Sequence, residues 1–209
     1  MTKILNIDIN FCKWTFFRPT DLESYWNRIG EDEVDNIPYW LEIWPAAKLL
    51  AELVDNNKER FKNKLGLEVG CGLGLVSMVA AKIGSKMVSF DCEYEALYFA
   101  KMSQKYNQVR NLLFLTMDWL QPSLKANSVD FILASDVLYE KCFFEPINSL
   151  FSQILKPGGF IWLSNPRRDV SLESIPFLET KGWKVQKIAS QKISLQDQDP
   201  IVEVWQLEQ

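Results

Sequence analysis

Histidine is missing from this 209-residue chain altogether. That absence excludes imidazole general bases, Ser–His and Cys–His nucleophile pairs and metal sites built on histidine, and no metal is expected. Cysteine is scarce: Cys12, Cys71, Cys92 and Cys142 show no C-x-x-C spacing. This leaves free thiols in a reducing compartment as the expectation. No apolar run approaches the roughly 20 residues that span a bilayer. The start Met1-Thr2-Lys3-Ile4 carries no signal-peptide core, so a cytoplasmic protein without membrane contact is expected. A basic excess is lacking too. With 23 Lys and Arg against 27 Asp and Glu the net charge is −4, which speaks against a phosphate backbone as partner, and no nucleic acid is expected. There is no internal repeat and no low-complexity segment. With 47% apolar residues, one α/β domain with a substantial core is the simplest reading.

What is present centres on Leu67-Glu68-Val69-Gly70-Cys71-Gly72-Leu73-Gly74-Leu75-Val76. It reads as a buried strand, a glycine-rich turn and a helix continued by apolar residues at helical spacing. Alternate glycines let the backbone turn tightly and present its N–H groups to a ligand, with the positive end of the helix behind them. Gly70 and Gly72 fit the dinucleotide pattern Gly-x-Gly-x-x-Gly, but its third position is Leu75 and the third glycine comes early, at Gly74. Glu68 would repel a pyrophosphate and suits a ligand with a cationic amino group.

Residues 4–17 alternate loosely and predict a short hairpin or edge strands. A short helix over 21–29 and a solvated acidic loop at 31–35 follow. Tyr39, Trp40 and Trp44 precede a helix that begins near Pro45, with Leu49, Leu50, Leu53 and Val54 as its buried stripe. These aromatics either cover a sheet edge, or Trp44 walls a cofactor pocket and Trp40 faces the substrate entrance, where a cation would gain about 0.5–2 kcal/mol against an aromatic face. A strand over 86–91 ends in Asp91, placed to accept both ribose hydroxyls of an adenosine ligand. Residues 93–107 predict a helix with Ala96, Leu97, Ala100 and Tyr106 facing inward. After a strand over 112–116, Asp118 can accept an adenine amino proton and Trp119 can lie against the base; Asp118 as a loop cap is the alternative.

Residues 128–135 are almost wholly apolar, as a central parallel strand should be, and end in Asp136-Val137-Leu138-Tyr139. Asp136 as a helix N-cap is the plain alternative to a catalytic role. A helix over 143–155, a turn at Lys156-Pro157-Gly158-Gly159, a strand over 160–164, an exit loop ending in Arg167-Arg168 and a helix around 172–180 follow. Strands over 183–193 and 201–207, joined by a polar turn at 196–200, close the chain. Cys71 and Cys92 fall in the ligand loops as small fillers.

From Pro38 to Leu207 the chain resembles the class I, seven-β-strand methyltransferases that use S-adenosylmethionine (AdoMet), in particular the methyltransferase-like group that modifies protein lysines. The motifs that carry this are Ile43-Trp44-Pro45-Ala46-Ala47, the glycine turn with Glu68, the Asp91 strand end, and Ser135-Asp136-Val137-Leu138-Tyr139 at the Asp/Glu-x-x-Tyr/Phe position. The Asn/Asp-Pro-Pro-Tyr motif of enzymes acting on glutamine or nucleobases is missing there. The resemblance implies an α/β, Rossmann-like fold: a seven-stranded, mostly parallel sheet with an antiparallel C-terminal hairpin and helices on both faces. It implies a methyltransferase domain over residues 38–209, with residues 1–37 as an appendage that faces substrate or forms a lid. AdoMet would be held by Trp44, Glu68, Gly70, Cys71, Gly72, Gly74, Asp91, Cys92, Asp118, Trp119 and Ser135. Asp136 and Tyr139 would be catalytic and, with Trp40, would meet the substrate. The partner implied is a protein lysine, with a small-molecule amine, or an inactive AdoMet-binding role, as alternatives.

Overall fold

A computed structural model describes residues 2–21, 25, 38–195 and 198–209. The helix expected over 21–29 (Asp21 and Tyr25 aside), the acidic loop at 31–35, and residues 196–197 of the final turn lie outside the described residues. The chain opens with an antiparallel hairpin, β1 (Thr2–Ile9) and β2 (Cys12–Pro19). Helix α1 (Pro45–Asn56) and a single turn α2 (Lys58–Phe61) lead into β3 (Leu65–Val69). Then come α3 (Leu75–Lys82), β4 (Lys86–Asp91), α4 (Tyr94–Tyr106), β5 (Leu112–Thr116) and β6 (Val129–Ser135). The chain ends with α5 (Phe144–Ile154), β7 (Leu155–Pro166), α6 (Asp169–Thr180), β8 (Lys184–Lys192) and β9 (Ile201–Glu208). No helix among the described residues is long and apolar enough to cross a membrane.

The main sheet has seven strands in the order β5-β4-β3-β6-β7-β9-β8. The pairs from β5 to β7 are parallel, and β9 runs antiparallel between β7 and β8. The expected Rossmann-like sheet with its terminal hairpin is therefore the observed one. The apolar run of β6 is explained by two-sided burial. Phe131 and Leu133 enter one core with α1, α3, α4 and the N-terminal hairpin, while Ile132 and Ala134 enter the other with α5 and α6. Each such side chain removed from water stabilises the fold by about 1.5–3 kcal/mol.

Four expectations need correction. Tyr106 does not face inward: it is 61% exposed and meets the Phe17 ring of the hairpin edge-on at 5.5 Å. Leu53 is only half-buried, and Ala46 and Ala51 share the α1 stripe instead. The turn at 156–159 is absorbed into β7, where the register slips between Val129↔Leu155 and Phe131↔Phe160. The strand bulges there rather than ending, because Leu155 is already paired before the Pro-Gly-Gly segment. Helix α6 starts at Asp169, ahead of the expected start, because the Arg168 N–H donates to Ser171 Oγ at 2.9 Å and closes a capping box.

Strand order reverses between β3 and β6, whose carboxyl ends therefore flank a crevice that no crossover covers. Open α/β sheets bind ligands at this point.

Candidate active site

The glycine turn leaves β3 with Gly70 at φ 60° and Gly74 at φ 81°. Both values lie in the left-handed region that side chains other than glycine rarely adopt. Space forbids a side chain as well: a Cβ on Gly70 would stand 3.0 Å from Trp119 Cζ3, and one on Gly74 would stand 2.9 Å from Phe114 Cζ. Gly74 is the N-cap of α3 and has no side chain to cap it. Glu68 does this from the strand below, accepting the Ser77 N–H at 2.9 Å. Its carboxyl is 1% exposed, and burial raises it to about 7.

Above the turn lies a cavity of about 290 Å³. Most of the expected cofactor residues line it: Trp44, Gly70, Cys71, Gly72, Gly74, Asp91, Cys92, Trp119 and Ser135. Asp91 is 9% exposed, and its carboxylate accepts the N–H groups of Gly72 at 2.7 Å and Glu93 at 3.1 Å. Burial raises Asp91 above the usual carboxylate range, while these bonds oppose the rise. The Cys92 thiol is pushed up to about 12 by burial and then by Asp91. Burial also pushes the Cys71 thiol well up, so neither is a nucleophile near neutrality.

Two of the expected residues lie off the cavity. Glu68 is turned into the helix cap described above. Asp118 is exposed and accepts the Leu120 N–H at 2.8 Å, the geometry of a loop cap.

Asp136 and Tyr139 line the same cavity. Asp136 follows the last residue of β6 with φ 55°, a conformation Asp tolerates better than most residues, and its N–H donates to the Ser164 carbonyl at 2.7 Å. The nearest helical turn begins at Lys141, so Asp136 caps no helix. Its carboxylate pairs with the guanidinium of Arg168, which arrives from the end of β7. Burial raises Asp136 from its ordinary value, and Arg168 offsets part of that rise. Tyr139 is likewise pushed up by burial and neighbouring Glu140.

The aromatic wall is arranged differently from the sequence expectation. Trp40 is 6% exposed and stacks on Phe99 at 6.1 Å, so it bounds the cavity from within rather than standing at an entrance. Tyr39 takes the outer place, 5.4 Å from the Tyr139 ring and 6.1 Å from Trp44. Trp44 is fixed by its Nε1–H, which donates to the Tyr39 carbonyl at 2.8 Å. Tyr139 in turn meets Phe143 at 5.0 Å, and Phe143 meets Trp119 at 5.2 Å. Five rings from Trp44 to Trp119 therefore run in continuous contact, and all but Phe143 line the cavity.

Sequence reasoning did not single out Glu93, Glu140 or Arg168 as lining residues. Arg168 had one usable signal, its place at the carboxyl end of a strand. Glu42 also lines the cavity; it is held by Arg18 of β2, a buried guanidinium that pairs with it and donates to the Leu41 carbonyl at 3.2 Å.

A family profile described as a methyltransferase domain matches residues 61–203. Histone-arginine methyltransferase METTL23 of Xenopus laevis is 31% identical over 139 residues, covering 64% of this chain and 59% of that protein. Protein-lysine methyltransferase METTL21E of Mus musculus is 30% identical over 134 residues, covering 59% of this chain and 54% of that protein. The chain thus spans between half and three-fifths of the length of these relatives. Among solved structures, the T. thermophilus 16S rRNA N2 G1207 methyltransferase RsmC, in complex with AdoMet and guanosine, superposes with a TM-score of 0.70. It is 17% identical, and the match covers 99% of this chain and 50% of that one. At that identity the likeness is one of fold.

Proposed function

The chain belongs to the methyltransferase-domain family, and from that premise we propose that it transfers a methyl group from AdoMet to the side-chain amine of a protein lysine. The observation that carries this reading is that the glycine turn, the anchored Asp91 and the Asp136/Tyr139 pair all line one cavity. The cavity fits the cofactor: the turn is a cradle that a Cβ would fill, and Asp91 presents a fixed, buried carboxylate at its rim. Gly70 to Gly74 would hold the methionine end, Asp91 the ribose hydroxyls, and Trp119 the base. When bound, AdoMet supplies a methyl whose carbon–sulfur bonding pair returns to sulfur as the acceptor nitrogen's lone pair forms the new bond.

The protein's part is then orientation and the exclusion of water. Asp136 accepts a hydrogen bond from the acceptor nitrogen and so directs its lone pair. Tyr39 and Tyr139 frame the slot through which an extended alkyl chain enters. The uncharged rings lower the solvation of an ammonium, whose free pKa is about 10.4, and so favour the neutral form that attacks.

A second reading, arginine as acceptor, has its own observation: a guanidinium, that of Arg168, already sits on Asp136. METTL23 carries the name of an arginine enzyme and METTL21E that of a lysine enzyme. Incubating the purified protein with labelled AdoMet and a cell extract, followed by mass spectrometry of the labelled band, decides between them. Methyllysine supports the reading, methylarginine replaces it with the second, and label confined to small molecules overturns both.

A further inference from the structure

We infer that Arg168 is a positioning residue that favours the uncharged form of the acceptor nitrogen, by opposing the carboxylates among which that nitrogen must sit. This rests on the amine-acceptor reading above. Among the described residues that line the cavity, Arg168 is the one cation. Five carboxylates line the cavity with it. Asp136 and Glu140 follow β6, Asp91 ends β4 and Glu93 follows it, and Glu42 comes from the segment before α1.

These five are not equally free to act on a ligand. Glu42 already carries Arg18 from behind. Asp91 is occupied by two backbone N–H groups. The remaining titratable groups that line the cavity, Tyr39, Tyr139, Cys71 and Cys92, add no positive charge. Burial holds Tyr139 and Cys92 in their neutral forms through the working range. An ammonium placed beside Asp136 would therefore sit in a cavity whose lining carboxylates outnumber its cations five to one. Without a counter-charge its pKa would rise and its lone pair would stay protonated.

Geometry puts the counter-charge where it is needed. The Asp136 side chain is 13% exposed and that of Arg168 is 44% exposed, so the guanidinium closes on the carboxylate from the solvent side. An acceptor amine that reaches Asp136 comes beside this guanidinium. Two positive charges on one carboxylate repel. The amine therefore gives up its proton to solvent more readily there, and Asp136 is left to orient the neutral nitrogen.

A test without an acceptor uses sinefungin, the AdoMet analogue with an amine-bearing carbon in place of the methylsulfonium. Its amine reports charge at the transfer position, and S-adenosylhomocysteine, which lacks that amine, is the control. In calorimetric titrations at pH 7, Arg168→Met should bind sinefungin about tenfold tighter than the native protein, one pH unit of amine stabilisation. The gain should shrink at high pH and vanish once the bound amine is neutral in both proteins, and S-adenosylhomocysteine affinity should be equal in both proteins. Arg168→Lys, which keeps the charge at the start of α6, should behave as native. Equal or weaker sinefungin binding by Arg168→Met, with S-adenosylhomocysteine binding intact, overturns the inference alone. A native protein that binds neither nucleoside overturns the methyltransferase reading and the inference with it.

Discussion

Asp136 combines a left-handed backbone, a buried carboxylate and an ion pair within one residue. Such a conformation persists only where the surroundings over-determine it, here through the N–H bond to Ser164. Asp136→Ala should lower methyl transfer by roughly 100-fold or more while AdoMet affinity stays within a few fold; loss of AdoMet binding in calorimetry would place the residue with the cofactor instead. Glu68 carries a different consequence. Burial raises its pKa from 4.5 to about 7, so the folded protein holds a proton that the unfolded chain releases. Stability from this group is fully present below the unfolded value and is lost as pH rises through about 7. Glu68→Gln keeps an oxygen for the Ser77 N–H but cannot ionise. Its melting temperature should exceed that of the native protein by several degrees at pH 8, and the gap should close at pH 5. Parallel melting curves across that range would remove Glu68 as the titrating group. Both roles depend on side-chain direction. The acid at 68 lies near the end of β3 and the acid at 136 just past the end of β6, yet one caps a helix and the other lines a cavity.

The N-terminal hairpin was legible as an element but not in its role. Its strand β2 is an edge strand, and exposed edges invite foreign pairing. Here part of that edge is satisfied by side chains at the end of α4. The Thr15 N–H donates to Asn107 Oδ1 at 3.1 Å, Asn107 Nδ2 donates to the Thr15 carbonyl at 2.6 Å, and the Phe17 N–H donates to Ser103 Oγ at 3.0 Å. Ile7, Ile9, Trp14 and Phe16 enter the same core as α1 and α3. Two residues beyond Phe16, Arg18 fixes Glu42 in the cavity wall. Asn107→Ala should therefore cost about 1–3 kcal/mol of local stability. Amide hydrogen exchange at β2 should speed up while exchange in β6 is unchanged; uniform acceleration across both would show that the hairpin and the sheet open as one unit. Alternating polarity predicts such a hairpin, but the groups that dock it lie 86 and 92 residues away in the sequence, beyond the reach of any local pattern.

For the molecule as a whole, the cavity joins segments that follow β3, β4, β5, β6 and β7 with the aromatic stretch before α1. A ligand bridging these loops binds the folded state alone and stabilises it by mass action. At about 100 times its dissociation constant, AdoMet or S-adenosylhomocysteine should add about 2.7 kcal/mol. For a chain of this size that raises the melting temperature by roughly 5–10 °C. Differential scanning fluorimetry reads this directly, and a nicotinamide dinucleotide giving the larger shift would contradict the AdoMet assignment. The succession of strands and helices along the chain, the buried run of β6, the glycine turn and the acid ending β4 were all determined by the sequence itself. They rest on local periodicity and on backbone angles that few residues tolerate. Only the tertiary structure decided that Arg168 lines the cavity while Glu68 and Asp118 do not, and that Tyr39 rather than Trp40 stands opposite Tyr139. Those outcomes depend on which way a side chain turns once distant strands are packed together. The Asp136–Arg168 pair, 32 residues apart in the chain, exists because β6 and β7 are parallel neighbours whose ends open on the same side.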